Sequence, residues 1–293
     1  MSNSSKHPKT RVFIVGAYGF LGQHVTNYFV HKGYHVHLAV KSSSKAPKAI
    51  KDLKLPLSFT DAPDFIDHLD DLMFDIVIYT AVDYGKNKIK DDVWECNVYL
   101  PLRIVEKVGN EKLLFIHFDT FFNKFSKYKY LPLYTLSKQD FRDKLKQNIN
   151  CKIVGLQLEH LYGENDNPTK FISTLINALK SNKDEIQLTS GEQKRDFIYV
   201  GDLVDLIDKL ILTRENLALD NYLFEVGTGE SISLKKFVIE LKNQLKASTK
   251  LIFDALPMRQ NEIMDSKANL DKLDNVLSWR PKINFKQGIN KLI

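Results

Sequence analysis

Residues 11–22 read Arg11-Val12-Phe13-Ile14-Val15-Gly16-Ala17-Tyr18-Gly19-Phe20-Leu21-Gly22, and this stretch decides the fold. The apolar, β-branched run Arg11–Val15 predicts a buried strand. Three glycines follow at once, and then Leu21, Val25, Tyr28 and Phe29 recur on one helical face until Gly33 ends the pattern. Strand, glycine turn and helix in that order is the context in which a glycine motif carries meaning. The first glycine permits the tight turn, the second lets backbone approach a pyrophosphate, and the third lets the helix pack closely on the strand. A plain strand–helix turn requires no such spacing. The stretch therefore reads as a dinucleotide site formed by Gly16, Tyr18, Gly19, Phe20, Leu21 and Gly22, with the phosphates on the helix N-terminus.

Outward from this stretch, strand and helix patterns alternate. His35–Val40 is a second strand, whose end carries an acidic residue in NAD-binding domains to meet the ribose 2′-hydroxyl. Here Lys41 and Ser42 stand in its place and suit a 2′-phosphate, so NADPH is expected over NAD. Leu57–Thr60 is a weak strand ending at Asp61, placed to meet the adenine edge, and Asp75–Thr80 is a clear strand ending in Ala81. A helical pattern over Val93–Val108 leads to a fifth strand, Leu113–Phe118, which delivers Asp119 and Thr120 at its C-terminal end, where open parallel sheets bind ligands. A helix over 134–149 and a strand over Lys152–Leu158 come next. The alternation predicts an α/β fold, a Rossmann doubly wound parallel sheet with right-handed crossovers.

With 293 residues, the chain is long enough for one large domain or a domain with a smaller lobe. It is 43% hydrophobic and 27% charged, which is the composition of a globular protein. The net charge of +6 comes from scattered lysines; the denser patches Lys41–Lys54 and Lys124–Lys129 lack regular aromatic interleaving, so nucleic acid is not an expected partner. No run approaches the ~18 apolar residues of a membrane span, and the polar opening Met1–Lys6 does not resemble a signal peptide. Cys96 and Cys151 make no disulfide framework and lie near no metal-ligand grouping. No metal and a cytoplasmic setting are expected.

The chemistry centres on Tyr134-Thr135-Leu136-Ser137-Lys138. On a helix, Tyr134 and Lys138 share a face, side by side. A tyrosine titrates near ~10, and a neighbouring cation favours its phenolate. Such a pair exchanges a proton near neutral pH, as carbonyl–alcohol redox chemistry requires. The spacing alone recurs by chance; the glycine motif and Thr120 give it weight.

With these features in one order, the chain resembles the extended short-chain dehydrogenase/reductases that act on nucleotide sugars. GAYGFLG has that family's G-x-x-G-x-x-G form. Leu158–Gly163 looks like its segment ending in Tyr-Gly, and Arg195–Asp202 like its R-D-F-x-Y-V-x-D block. Phe224–Gly229 and Leu277–Pro281 are similar to its F-x-V-G-x-G and L-G-W-x-P motifs, so the resemblance spans nearly the whole chain. Asp119–Phe122, Leu158–His160, Gly191–Asp196 and Asn261–Met264 look most like the CDP-abequose and CDP-paratose synthases, which reduce a CDP-4-keto-3,6-dideoxy sugar in surface-polysaccharide (O-antigen) sugar biosynthesis.

The resemblance implies a catalytic set of Thr120, Tyr134 and Lys138, with Lys138 also binding the nicotinamide ribose. It implies an NADP-binding domain over 1–160, with strand segments returning near 195–228, and a smaller, mainly substrate-binding lobe over 161–293. The substrate is then a nucleotide-diphosphate 4-keto-deoxysugar. Arg195, Arg259 and Lys170 match phosphate-contacting positions, and Leu188 and Thr189 lie near the base. Arg195 has an ion pair with Asp196 or Asp202 as its other reading. His160 faces nicotinamide or sugar, or else is a satisfied structural histidine, and Tyr199 packs beneath the cleft. Phe121 and Phe122 replace the Asp-Glu pair of related 4,6-dehydratases, which disfavours dehydration, and the segment from Thr120 to Tyr134 is short for the group. Two helices, about 92–109 and 134–149, form the family's homodimer contact; Val93, Val98, Leu102 and Val105 partly serve it, although packing on the sheet is their default role. An NAD-dependent epimerase is the rival reading, and a non-catalytic dinucleotide sensor or scaffold the reading from another class.

Overall fold

A strand that is buried on both faces is rich in apolar residues, and the runs over residues 12–15, 76–79 and 114–116 lie side by side in one sheet. The computed structural model describes residues 10–40, 47–53, 58–60, 65–69, 73–125, 130–146 and 150–293. Its first elements are β1 (Arg11–Val15), α1 (Phe20–His31), β2 (His35–Ala39), α2 (Lys48–Lys51), β3 (Ser58–Thr60), β4 (Ile76–Tyr79), α3 (Lys90–Trp94), α4 (Leu100–Val108), β5 (Leu114–Thr120), α5 (Pro132–Leu145) and β6 (Lys152–Leu158). Then come β7 (His160–Tyr162), α6 (Phe171–Lys180), β8 (Glu185–Gln187), β9 (Lys194–Arg195), β10 (Phe197–Tyr199), α7 (Val200–Leu212), β11 (Asn221–Val226), β12 (Ile232–Ser233), α8 (Leu234–Leu245), β13 (Lys250–Ile252), α9 (Asp271–Leu277) and α10 (Phe285–Leu292). Two compact units result. The first comprises Met1–Asn123, Lys129–Gln157 and Ile207–Phe224, and the second Lys124–Tyr128, Leu158–Leu206 and Glu225–Ile293.

The first unit carries a seven-stranded sheet in the order β11-β6-β5-β4-β1-β2-β3. β1 lies parallel between β2 and β4, with Val15 opposite Ala39 on one side and Tyr79 on the other. The order reverses at β1, and ligands of such sheets bind in the crevice at that switch point. Phe13, Val77, Phe115, Val93, Val98, Phe141 and Ile153 form one buried cluster, in which Phe13 stacks on Phe74 with centroids 4.8 Å apart. Val93, Val98 and Val105 are thus core residues, and Leu102 packs on the same cluster. Among the described residues, the large apolar side chains exposed on these helices are instead Tyr99 and Leu136, at 44% and 53%.

Two expectations are corrected here. The pattern over Val93–Val108 is not one regular helix: between α3 and α4 it passes through a π-helical turn, Glu95–Tyr99, where the Leu100 amide reaches back five residues to the Glu95 carbonyl. Pro101 gives the reason, since it has no N–H to offer Asn97 and the ladder must rearrange before it. The strand expected over Leu113–Phe118 extends to Thr120, so Asp119 and Thr120 are its last residues and are fixed by the ladder.

In the second unit, β7 pairs with β10, β9 with β12 and β8 with β13. Of the segment expected to return to the first domain, 195–228, only Ile207–Phe224 does so, because β10 pairs with β7. Tyr162, Leu175, Leu188, Phe197, Phe237 and Leu241 form its apolar core. Buried carboxylates fasten its loops. Asp196 accepts hydrogen bonds from the amides of Thr228, Gly229 and Ala268 and from the Thr228 hydroxyl. Asp202 accepts from the Lys282 and Ile283 amides, and Trp279 Nε1 donates to Asp205 at 2.9 Å. Among the described residues no helix is long and apolar enough to cross a membrane.

Removing the Asp196 carboxylate, which is itself fully buried, strands these donors. Asp196→Ala is expected to cost about 3 kcal/mol or more, read as a lowered midpoint in denaturant unfolding; a loss below ~1 kcal/mol contradicts the fastener role.

Candidate active site

The glycine turn is a cradle that side chains would fill. Gly16 has φ +85°, a conformation that favours glycine, and a Cβ there would stand 2.6 Å from the Ala81 nitrogen. A Cβ on Gly22 would collide with the Gly16 carbonyl oxygen, so α1 sits against the turn only because residue 22 is glycine. Thr80 Oγ1 steadies the turn by donating to the Val15 and Gly16 carbonyls at 2.8 and 3.1 Å. Gly19 is the N-cap of α1 and brings no side chain to its first amides, which leaves them to an anion. These residues fit a dinucleotide pyrophosphate. Tyr18, Phe20 and Leu21 are half-buried beside the turn in sequence, and Ala81 is brought against Gly16. Lys41, Ser42 and Asp61 lie outside the described residues.

Thr120, Tyr134 and Lys138 are brought together. β5 ends at Thr120, and α5 begins with Pro132 in its first turn, whose fixed φ suits a helix start. Tyr134 and Lys138 fall one turn apart on its buried face, and the Thr120 hydroxyl is hydrogen-bonded to the Tyr134 phenol. Burial pushes the phenol above its ordinary range; neighbouring Tyr84, whose ring lies 5.0 Å from it, adds to this and the Thr120 hydrogen bond opposes it. The expectation that Lys138 sets the direction is corrected: burial sets it, and the direction is upward. Lys138 is itself lowered by burial, with Asp119 and Cys96 acting the other way. Asp119 accepts from the Thr120 amide at 2.7 Å, from Asn123 Nδ2 at 2.9 Å and from Arg142 Nη1 at 2.9 Å.

The sequence reading missed Asn97. Its buried amide Nδ2 donates to the Asp83 carbonyl at 2.8 Å and to Ser137 Oγ at 2.9 Å, and its Oδ1 accepts from the Asp83 amide. It therefore joins the loop after β4 to the helix turn between Tyr134 and Lys138. A signal was present: a polar residue on the buried face, four after Val93 and four before Pro101.

In the second unit, Arg195 is buried and donates to Glu262 at 2.7 Å and to the Lys194 and Ile263 carbonyls. Its ion-pair partner is Glu262, neither Asp196 nor Asp202. Lys170 pairs with Asp166 at 2.9 Å at the start of α6, Arg259 is exposed, and the Leu188 side chain belongs to the apolar core. Tyr199 donates to Glu164 at 2.8 Å. His160 stands half-buried in β7, edge-on to Phe197, and is pushed down to about 3 by burial and then by the charge of Arg195. Among the described residues there is no group of metal ligands.

A sequence model of the NAD dependent epimerase/dehydratase family matches residues 12–223. The chain belongs to that family. It is an extended short-chain dehydrogenase/reductase, an NAD(P)-dependent oxidoreductase by type. Among curated relatives it is 33% identical to a CDP-abequose synthase of Salmonella muenchen, over 97% of each chain. It is 25% identical to a dTDP-4-dehydro-6-deoxyglucose reductase of Escherichia coli, again over 97% of each. Its fold matches the UDP-glucose 4-epimerase of Thermotoga maritima, solved with UDP-glucose, with a TM-score of 0.81 at 19% identity over 96% of this chain and 97% of that one.

His160 generates a prediction of its own. Between about pH 6.5 and its folded value, the unfolded chain binds a proton here that the family fold refuses, so stability is lost as pH falls. His160→Gln removes this linkage, and the variant should gain about 1–2 kcal/mol on the unmutated protein between pH 7 and pH 5. Thermal unfolding at both pH values reads it; an unchanged gap means that His160 is protonated in the fold.

Proposed function

We propose that the protein is an NADPH-dependent reductase of the C4 keto group of a nucleotide-diphosphate 4-keto-6-deoxy or 3,6-dideoxy sugar, of the CDP-abequose synthase kind. The observation that carries this reading is the buried set Thr120, Tyr134 and Lys138, in which the Thr120 hydroxyl is hydrogen-bonded to the Tyr134 phenol and Lys138 lies one helical turn away. The nicotinamide, when bound, supplies the hydride equivalent. Tyr134 holds the proton destined for the carbonyl oxygen, Thr120 donates a hydrogen bond to that oxygen, and Lys138 favours the phenolate left behind. Phe121 and Phe122, rings 4.2 Å apart, bring no acid or base, and the Asp119 carboxylate is engaged with Thr120, Asn123 and Arg142. That argues against dehydration. The names of the two relatives support the sugar class.

On the substrate side, Arg195, Arg259 and Lys170 take the diphosphate, with His160 and Leu188 nearby in the same reading. A homodimer belongs to it too; exposed Tyr99 and Leu136 on the helices expected to pair are consistent with that contact. An epimerase uses the same three residues but retains NAD and shows no net redox. An NADPH-oxidation assay against a panel of such sugars separates the two: steady NADPH consumption supports the reductase, and interconversion without consumption the epimerase.

Tyr134→Phe should fold and bind NADPH while kcat falls roughly 10²–10⁴-fold, the usual contribution of a general acid. Thr120→Val should cost less, and Lys138→Met should also raise the cofactor KM. The ranking decides: a Tyr134→Phe variant that keeps most activity while Thr120→Val abolishes it places the acid elsewhere.

For the cofactor, Lys41 and Ser42 support a preference for NADPH over NADH, which Lys41→Asp should erode or reverse. Equal kcat/KM for both cofactors in the unmutated protein counts against it.

A further inference from the structure

One buried charged group beside the proposed catalytic set has as yet no role. Asp119 has a side chain only 1% exposed, in the last two residues of β5, and both of its oxygens are engaged. Oδ1 accepts from the Thr120 amide and from Asn123; Oδ2 accepts from Arg142. Arg142 lies on α5 two turns beyond Tyr134 and one beyond Lys138, so the three share a helix face. One carboxylate thus ties the strand end that presents Thr120 to the helix that presents the phenol and the ammonium.

The charges around it are unequal. Lys138 and Arg142 bring two cations to this buried region. Among the described residues, the other groups that these interactions name are neutral or polar: His117, Tyr134, Tyr84, Cys96 and Ser137. His117, also in β5 and fully buried, is pushed down to about 3 by burial and then by Lys138 and Arg142, so it adds no charge. A buried ammonium requires compensation or it gives up its proton.

We propose that Asp119 is a positioning residue for the reaction, fixing Thr120 against the helix of Tyr134 and Lys138 and supplying the counter-charge of the Lys138 ammonium. This rests on the reading of Tyr134 and Lys138 as the proton-handling pair. Burial drives Lys138 toward its neutral form, and the Asp119 charge is the first influence that opposes it. The same charge disfavours the Tyr134 phenolate in the resting protein. Loss of the carboxylate charge therefore moves both groups in one direction, toward losing a proton at lower pH. The basic limb of the kcat/KM profile must move acidward whichever of the two it reports.

The pair can be broken from either end, and the two ends differ in sign. Asp119→Asn keeps an acceptor for the Thr120 amide and removes the charge. Arg142→Met breaks the same ion pair and leaves the carboxylate to Lys138. In protein carrying lysine labelled with ¹³C at Cε, with the Lys138 signal assigned by its loss in Lys138→Arg, Asp119→Asn should lower the Lys138 midpoint by about one pH unit, the low end of what a near charge produces. Arg142→Met should leave it in place or raise it. With the reductase substrate, the basic limb of kcat/KM should show the same pattern. Asp119→Ser repeats the charge removal if the asparagine variant does not fold. A fall of the midpoint in both variants makes the pair merely structural, and a fall in neither removes Asp119 as the counter-charge; each overturns the proposal. The lysine titration needs no substrate, so an inactive sugar panel counts against the proposed function alone.

Discussion

Lys138 keeps 5% of its surface exposed, and burying an ammonium is the constraint on which the rest of this region depends. Its charge must be met from nearby, which restricts what the ends of β5 and α5 hold. β5 runs on to Thr120, so that Asp119 is held in the ladder rather than in a mobile loop. α5 is long enough to carry Arg142 two turns past Tyr134, where it meets the same carboxylate. The turn between Tyr134 and Lys138 is gripped from another side, because Ser137 Oγ accepts from Asn97 while donating to the Tyr134 carbonyl. Asn97 itself lies in the π turn that precedes Pro101. A proline in one helix and a charge in another thus bear on the same three residues.

A raised phenol is not in itself a sign of chemistry. Tyr34 and Tyr162 are pushed the same way, chiefly by burial, and Tyr34 also by its hydrogen bond to Asp208. Both sit in packed surroundings that need no reaction to explain them. What separates Tyr134 is its company: a hydroxyl on the next element bonded to it, and an ammonium one helical turn away. Burial raises all three phenols alike, and what distinguishes Tyr134 is the pair of neighbours that the proposed reaction would use.

Elements that rest on local rules were legible in the sequence. The strand Lys152–Leu158 is found at its expected bounds, and Arg11–Val15, followed by three glycines, declares its turn through steric demands that no other residue meets. That Tyr134 and Lys138 share the buried face of one helix, behind a strand that ends in Thr120, was also legible, because helical spacing and strand ends are short-range geometry. Long-range facts were not. That Arg195 pairs with Glu262, 67 residues away, depends on where a loop returns. Nor does any periodicity announce that 195–206 stays with the second unit, since this stems from β10 pairing with β7 rather than with the large sheet. The π turn lay between: Pro101 marked a fault in the helix, but the partner of the displaced Asn97 is 40 residues on.

The motifs that made the resemblance specific turn out to hold backbone in place. In the block Arg195–Asp202, Asp196 binds three amides and a hydroxyl of two other loops, and Asp202 binds two amides after Trp279. A carboxylate that satisfies several buried amides cannot be exchanged without leaving them unpaired, so its sequence position is inflexible on structural grounds alone. Arg195, at the head of that block, is different in kind. Its guanidinium is buried against Glu262, and a buried pair of this sort is weak evidence for stability, because desolvation offsets most of its attraction. Two carbonyls and a carboxylate instead fix the direction in which the planar group faces. That direction is set by the Lys194 and Ile263 carbonyls and by Glu262, and the last two are residues that no strand or helix pattern would have singled out.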